Sequence, residues 1–124
     1  MFTTRPAPLS ETSQVELLAR VFAGVSDPTR LQILLILLDG ERNVGELVSL
    51  VETSQGRVSV HLQCLRHCGF VSSERRGKYV YYRVCDHQVK ELIALAQALA
   101  LTYGPELASC DVLDDEARRQ EQNL

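Results

Sequence analysis

The sequence predicts one mainly α-helical domain, with five helices and a single small β-hairpin. Three observations lead to this prediction. Apolar residues recur at helical spacing along most of the chain, residues 70–85 change to the β-branched and aromatic pattern of strands, and 124 residues give room for one core. The apolar fraction of 45% and the charged fraction of 23% are ordinary for a globular protein.

The first two helices are indicated by their boundaries. Residues 1–9 contain two prolines and little periodicity, so we expect a flexible N-terminal arm there. Helix 1 is predicted to start after Ser10, with its apolar residues on one side. Asp27 can then cap a new helix, and Pro28 suits its first position. The resulting helix 2, roughly Pro28–Leu38, is apolar nearly all round and is predicted to be the central core helix.

Two further helices form a pair separated by a tight turn. Asn43 can cap a short helix 3, and Ser54 can cap a longer helix 4 that extends to Cys68. Gly69 then suits the left-handed position that ends a helix. A short helix, a tight turn and a second helix with exposed polar side chains fit a helix-turn-helix. The residues of helix 4 predicted to lie in the core are Val58, Leu62 and Leu65.

The residues that follow helix 4 have the pattern of strands. Residues 70–75 and 79–84 are predicted to pair as a hairpin joined through Arg76-Gly77-Lys78, which gives the hairpin a basic tip. A hairpin in this position is a wing. The sequence therefore predicts a winged helix-turn-helix of five helices plus a wing.

Helix 5 is predicted to run from about His87 to Tyr103, where Gly104-Pro105 stops it. This helix is apolar on more faces than one domain can cover, so a second copy of the chain is expected to cover the rest. We therefore predict a homodimer formed through helices 1 and 5. The predicted parts of the chain are the arm (1–9), the DNA-binding and dimerisation domain (10–105) and a polar C-terminal tail (106–124) that is largely disordered after residue 111.

Basic side chains are concentrated in one part of the chain. Residues 54–83 hold six basic side chains against one acidic side chain, a local net charge of +5, whereas the whole chain has a net charge of −3. A local basic segment in an acidic chain is the distribution expected of a DNA-contacting surface, and a solvated basic face is the alternative. Together with the helix-turn-helix, the charge predicts double-stranded operator DNA as a partner.

The early turns of helix 4 and the wing supply the predicted DNA contacts. The early turns of such a helix enter the major groove, where Arg57 is the residue best suited to read a guanine. The wing is expected to contact the DNA backbone or the minor groove, and thus to set affinity more than sequence preference. For His61 a role in orienting helix 4 is a second interpretation. The predicted DNA-contacting residues are Ser54, Gln55, Arg57, Ser59, His61, Gln63, Arg75, Arg76 and Lys78.

The cysteines suggest a site for a soft metal ion. Cys64 and Cys68 are four positions apart, so they share one face of helix 4 and lie close enough to chelate one ion. Thiolates favour soft ions such as Cd(II), Pb(II), Hg(II) and trivalent arsenic. The alternative is a pair of buried structural cysteines, because a free cysteine behaves as a small hydrophobic residue. Cys85 is predicted to be a core or bystander thiol, with a fourth metal ligand as the alternative.

Two motifs carry a resemblance to a known family. Asp27-Pro28-Thr29-Arg30 and the run Ser54…Val58-Ser59-Val60-His61-Leu62…Leu65, in this order of helices and wing, resemble the ArsR/SmtB family over about residues 15–103. The resemblance implies a dimeric winged-helix repressor that leaves DNA when a metal binds. The run Cys64-Leu65-Arg66-His67-Cys68-Gly69 looks most like the cadmium- and lead-sensing type of this family, which implies that Cys110 in the tail is a third ligand.

Two other metal sites that the family uses are not supported by the residues present. The arsenic-type Cys-x-Cys motif of helix 3 is absent, since Val44-Gly45-Glu46-Leu47 occupies that region. In the zinc-type site of helix 5, Asp86 is present, but Gln88, Leu99 and Thr102 do not complete the ligand set. A zinc or nickel sensor of that type is therefore not expected.

The sequence thus predicts a metal-responsive repressor whose apo homodimer binds an inverted-repeat operator and leaves it when a thiophilic ion binds Cys64, Cys68 and Cys110. Cd(II) or Pb(II) is favoured as the effector, with Hg(II) as the alternative and no organic cofactor. A thiol redox sensor that uses Cys64 and Cys68, or an arsenite-responsive repressor, remain open.

Other classes are disfavoured. No cysteine has a base-plus-orienter arrangement, and there is no Gly-rich phosphate loop or HExxH motif, so an enzyme is not expected. The N-terminus lacks the apolar region of a signal peptide, and the apolar runs are too short for a bilayer. A cytoplasmic protein without a membrane partner is therefore expected.

Overall fold

The computed structural model describes residues 11–122, so the predicted arm over residues 1–9 lies outside the described residues. The described chain divides into two compact units, and the boundary in the sequence lies between Asp86 and His87. The elements in chain order are α1 (Glu11–Ser26), α2 (Pro28–Asp39), β1 (Arg42–Asn43), α3 (Val44–Val51), α4 (Gln55–His67), β2 (Ser72–Arg76), β3 (Tyr79–Arg83), α5 (His87–Thr102), α6 (Gly104–Ala108) and α7 (Asp111–Gln122).

The first unit has the predicted helix-turn-helix and wing. β2 and β3 pair antiparallel, with Ser72 opposite Arg83 and Arg76 opposite Tyr79, and Gly77 takes the positive φ of 63° that the tight turn requires. The prediction of a winged helix-turn-helix is confirmed. The two-residue β1 was not predicted; it pairs with β3 and gives the sheet the order β1-β3-β2.

Side-chain caps explain where α2, α3 and α4 begin. The side chain of Asp27 accepts the backbone N–H of Arg30, and the Ser54 hydroxyl accepts that of Arg57. Asn43 forms a capping box in which its side chain accepts the Glu46 N–H and the Glu46 side chain accepts the Asn43 N–H. These predicted helix starts are therefore confirmed.

The end of α4 also agrees with the sequence. Gly69 has φ +83°, and the backbone N–H of Phe70 donates to the Leu65 carbonyl at 2.9 Å. This bond satisfies a carbonyl that the helix itself leaves free, and the left-handed glycine makes it reachable. The trailing end of α4 is thus fixed by its own chain.

The core of the first unit lies between α2, α3 and α4. Val58, Leu62 and Leu65 are fully buried, as predicted for the inward face of α4. The other buried apolar side chains of this unit are Ile33, Leu34, Leu37, Leu47, Val71 and Val84. Because one face of α4 is anchored in this core, the opposite face is turned outwards.

The apolar side of α1 is largely uncovered in the single chain. Val15, Leu18 and Phe22 are 65%, 58% and 54% exposed. Near the end of α1, Gly24 is packed so closely against Phe70 that an added Cβ would lie 2.7 Å from the ring. α1 is therefore packed against the rest of the unit near its C-terminal end and exposes apolar surface along the rest of its length.

The second unit is helical throughout its described part. α5 ends at Thr102, close to the predicted end at Tyr103, and Pro105 stands in the first turn of the short α6. The structure has α7 over residues 111–122, where the sequence predicts disorder. The helix is explained by its strong helix formers and by Asp111 and Asp114, whose charges suit a first turn. It buries no residue, in keeping with its low apolar content.

Exposed apolar side chains are numerous on the second unit. Leu95, Leu99 and Leu101 are exposed on α5, and Leu101 reaches 88%. No single helix of residues 11–122 is both long and apolar enough to cross a membrane; only α1 from Ser13 together with α2 reaches that length and composition, across a bend of 80°.

Candidate functional site

The leading turns of α4 present polar side chains to solvent. Gln55, Arg57, Ser59 and Gln63 are all exposed, while the opposite face of the helix is buried in the core. Ser54 is exposed as well, but its hydroxyl is occupied as the cap of Arg57 at 3.2 Å. The face of α4 that the sequence assigns to DNA is thus open, and Arg57 is its only basic residue in the first turn.

The wing tip lies beside the N-terminal ends of α3 and α4. A cleft of about 320 Å³ is lined by residues of all three segments. Among them are Gln55 and Lys78, two residues that the sequence predicts to contact DNA. Lys78 Nζ lies 5.5 Å from the centre of the Tyr79 ring, and Arg75 donates to the Gly77 carbonyl at 3.5 Å. Both cations remain exposed at the tip.

Arg76 differs from the other predicted wing contacts because it is engaged within the chain. Its guanidinium donates to both carboxylate oxygens of Glu41, at 2.6 and 2.5 Å, and to Glu74 at 3.3 Å. It also lies over the Tyr81 ring, 4.6 Å from the centroid. The hydrogen bonds from Arg76 hold the pKa of Glu41 below its usual range, and those from Glu41 raise the pKa of Arg76. Arg76 therefore ties the wing to the loop between α2 and β1, which its assignment to DNA did not anticipate.

His61 points away from the exposed face of α4. Its Nε2 lies 3.7 Å from Asp27 Oδ2, its Nδ1 lies 3.5 Å from an Arg30 guanidinium nitrogen, and its side chain is 19% exposed. A direct DNA contact does not fit this inward direction, because the ring is turned towards the start of α2. The geometry favours the second interpretation, in which His61 orients α4.

Cys64 and Cys68 lie together at the trailing end of α4. The Cys64 thiol is close enough to Cys68 to influence its pKa, as the four-residue spacing predicts. Although much of residue Cys68 is exposed, partial desolvation of its thiol raises the pKa. The neighbouring Cys64 raises this pKa further by charge repulsion and by hydrogen bonding, and the Arg30 guanidinium offsets a part of the increase. The pair presents two adjacent sulfurs, half-buried and exposed, to a soft ion.

The remaining cysteines occupy different places. Cys110 lies half-buried between α6 and α7, in the second unit. Cys85 is exposed, and its sulfur lies 3.0 Å from the Ser72 hydroxyl. Within residues 11–122, no three His, Cys, Asp or Glu side chains are grouped as a complete metal site. Two thiols are thus in place, and the role of Cys110 stays a prediction.

Glu41 and Arg30 hold Arg76 and His61 in place, and the sequence did not predict either role. Glu41 pairs with a residue 35 positions away, and Arg30 reaches one 31 positions away. Nothing in the local pattern signals such distant pairs. For Arg30 the only available signal was its place in the Asp27-Pro28-Thr29-Arg30 motif.

Comparisons with known proteins agree with this architecture. A sequence model described as "Bacterial regulatory protein, arsR family" matches residues 27–73. A probable mercury resistance operon repressor from Streptomyces lividans is 43% identical over 102 residues, which are 82% of each chain. A cadmium resistance transcriptional regulatory protein (CadC homolog) from Staphylococcus aureus is 38% identical over 79 residues, covering 63% of this chain and 65% of that protein.

The solved structures include a related dimer. The solution structure of the homodimeric winged helix-turn-helix DNA-binding domain of a possible ArsR-family regulator from Mycobacterium bovis is similar, with a TM-score of 0.67. The sequences are 33% identical, and the match covers 77% of this chain and 90% of that domain. These relatives are transcriptional regulators and not enzymes.

Proposed function

The chain belongs to the arsR family of bacterial regulatory proteins, and from this premise we propose that it is a metal-responsive transcriptional repressor. Its apo homodimer binds an inverted-repeat operator, and a thiophilic ion bound at a cysteine site releases it. One observation carries the proposal: α4 exposes Arg57 at its leading end and the adjacent thiols of Cys64 and Cys68 at its trailing end. A single rigid helix therefore joins the DNA contact to the metal ligands.

In the proposed complex the leading turns of α4 enter a major groove. Arg57 reads a guanine through two hydrogen bonds, with Ser54, Gln55, Ser59 and Gln63 nearby. Arg75 and Lys78 contact phosphates from the wing tip and contribute affinity that depends on salt. The two copies of α4 in the dimer meet successive groove faces about 34 Å apart.

The dimer is proposed to form through α1 and α5. Both helices expose large apolar side chains in the single chain, including Phe22 on α1 and Leu101 on α5. Contiguous apolar surface of this kind marks protein interfaces. The homodimeric state of the M. bovis relative supports a dimer, and the choice of helices rests on the exposed surface.

The thiol pair fits a soft ion. Two thiols one helical turn apart on the same face need little rearrangement to become ligands, and Cys110 is proposed as the third. A bound ion supplies strong metal–thiolate bonds at the trailing end of α4. The relatives' names point to mercury and cadmium, and the same sulfurs also suit Pb(II) and arsenite. We propose Cd(II) or Pb(II) as the effector, with Hg(II) as the alternative.

Release from DNA requires only a moderate coupling between the two sites. Allosteric coupling of about 1–3 kcal/mol lowers operator affinity about 5- to 150-fold. By linkage, operator DNA must lower metal affinity by the same factor. Titration of Cd(II) into the free and the operator-bound protein therefore tests the coupling from both directions, and equal Cd(II) affinities would contradict it.

Substitution of the thiols tests the site. Cys64→Ser and Cys68→Ser are expected to bind the operator like wild type but to stay bound when Cd(II), Pb(II) or Hg(II) is added. The matched control is Cys85→Ser, which removes an exposed thiol of the same unit and should leave release intact. Loss of operator binding in the absence of metal would instead show that Cys64 and Cys68 are structural.

A thiol redox switch is the second candidate, because the Cys64 and Cys68 thiols are both free and lie one helical turn apart at the end of α4. An oxidant such as hydrogen peroxide would accept two electrons from the pair and leave a disulfide and water. The four-residue helical spacing lies near the long end of disulfide geometry, so the bond would strain α4. Operator release by peroxide in the presence of a chelator would favour this candidate over the metal site.

A further inference from the structure

A polar cluster of three side chains lies where α1, α2 and α4 meet. Asp27 is the cap of α2, Arg30 lies in the first turn of α2, and His61 lies in the middle of α4. All three residues are half-buried. We refer to them as the Asp27–Arg30–His61 cluster.

Arg30 connects all three helices. Its Nε donates to the Gly24 carbonyl at 2.9 Å, and one terminal nitrogen donates to the Ala23 carbonyl at 3.1 Å. Both carbonyls belong to the last turns of α1, where helical carbonyls lack partners and a positive charge is favourable. The other terminal nitrogen faces His61 Nδ1 at 3.5 Å. A movement of α4 relative to α1 and α2 therefore acts on this guanidinium.

The His61 ring faces a polar group on each side. Arginine can only donate hydrogen bonds, so Nδ1 acts as the acceptor and the neutral ring carries its proton on Nε2. Nε2 lies 3.7 Å from Asp27 Oδ2, and that oxygen also accepts the Arg30 backbone N–H at 3.0 Å. A rotation of α4 about its axis would pull the ring away from both partners. The cluster thus specifies the rotation of the helix as well as its position.

The thiols lie on the same side of α4 as His61. Positions 61, 64 and 68 are separated by three and four residues, a spacing that aligns them on one helix face. His61 and the thiol pair therefore lie on one face of the same helix, so a displacement of α4 at the thiols also moves the His61 ring relative to Asp27 and Arg30.

We propose that the Asp27–Arg30–His61 cluster positions α4 for operator binding in the apo protein and couples the thiol pair to the leading turns of that helix. The inference rests on the proposed metal-responsive function. His61 and Arg30 act as positioning residues, which touch neither a base nor the ion. The cluster stabilises the DNA-competent orientation, and this stabilisation is what ligand binding at Cys64 and Cys68 opposes.

The first test uses His61→Gln in the full-length chain. Operator affinity is measured by fluorescence anisotropy without metal and with saturating Cd(II), and Cd(II) affinity is measured by thiolate-to-metal absorption. We expect apo operator affinity to fall about 5- to 150-fold, the range for one hydrogen bond lost in each subunit of the proposed dimer. Operator affinity with Cd(II) bound should change little. The ratio of apo to Cd(II)-bound operator affinity therefore becomes smaller. The matched control is His87→Gln, which removes an exposed histidine paired with Glu91 at 2.8 Å on α5.

A second variant guards against a folding defect. Asp27→Asn keeps a good helix cap, because asparagine caps as well as aspartate does, but it removes the carboxylate charge beside His61. This variant should also lower the ratio of apo to Cd(II)-bound operator affinity, while its circular dichroism spectrum stays like that of wild type. An equal loss of operator affinity with and without Cd(II) would show a merely structural role and overturn the proposal, as would an unchanged apo affinity.

The same experiments separate this inference from the proposed function. If wild-type protein ignores Cd(II), Pb(II) and Hg(II) on the operator, the proposed function fails, and the apo affinity of His61→Gln still tests the positioning of α4. If metal releases the wild-type protein from the operator and both variants keep the wild-type ratio of apo to Cd(II)-bound operator affinity, the proposed function stands. The coupling role of the cluster is then refuted.

Discussion

Arg57→Ala is the sharpest test of how α4 meets DNA. The Arg57 residue is exposed, and its backbone N–H supplies the capping contact to Ser54 Oγ at 3.2 Å. The cap therefore survives removal of the side chain, and alanine is the strongest helix former. The substitution should leave the fold, the thiol pair and the Cd(II) affinity unchanged.

The expected loss of operator affinity is large. A bidentate arginine–guanine contact contributes about 1–3 kcal/mol. Because the proposed dimer makes this contact twice, the total is about 2–6 kcal/mol, a weakening of about 30-fold or more. Anisotropy titrations at fixed salt measure the loss, and operators mutated at each guanine identify the position that Arg57 reads.

The control is Lys90→Ala, which removes an exposed basic residue of α5 and should weaken binding little. A base contact lowers affinity with little effect on the salt dependence, whereas loss of a phosphate contact reduces the salt slope by about 0.9 per contact. If Arg57→Ala and Lys90→Ala bind the operator equally well, the proposed docking of α4 is wrong.

Three further predictions concern the core, the thiols and the wing. Leu62→Ala should lower the free energy of unfolding by about 2–5 kcal/mol in urea titrations, because Leu62 is fully buried; the exposed Gln63→Ala should change it by less than about 0.5 kcal/mol. The raised pKa of Cys68 means that an ion must displace a proton, so Cd(II) affinity should rise with pH between 6 and 8, and Cys68→Ser should lower that slope; a flat profile would contradict thiol ligation. The lowered pKa of Glu41 means that its pairing with Arg76 stabilises the wing above pH 4.5 and is lost as the pH falls through the folded value. Accordingly, Glu41→Gln should speed amide exchange in β2 and β3 at pH 7, and unchanged exchange would exclude this stabilisation.

The parts of the fold that follow local rules could be predicted from the sequence. The caps at Asp27, Asn43 and Ser54 each satisfy the first amides of their own helix, so a few neighbouring residues decide them. The proximity of Cys64 and Cys68 follows from helical geometry in the same way. Contacts within one helical turn require no knowledge of the rest of the chain.

The parts that depend on distant residues could not be predicted. The sequence predicts Arg76 as an exposed cation of the wing, because its partner Glu41 lies in another loop, 35 positions away. The sequence predicts His61 as a DNA contact because helix periodicity does not show that Asp27 and Arg30 lie next to this ring. The difference at α7 has another cause. The low apolar content of residues 111–124 predicts disorder, but the structure has a helix there that helix propensity supports without any buried side chain.

The tight packing of Gly24 against Phe70 has a consequence for the geometry of the dimer. A methyl group at this position would meet the aromatic ring at 2.7 Å, so Gly24→Ala must tilt α1 or displace the ring that follows α4. In a dimer formed through α1, such a tilt alters the distance between the two operator half-sites that the protein can span, while every DNA-contacting side chain is retained. A variant that responds by tilting α1 is therefore expected to prefer operators whose central spacer is longer or shorter by a base pair, whereas one that only displaces the Phe70 ring keeps the wild-type preference.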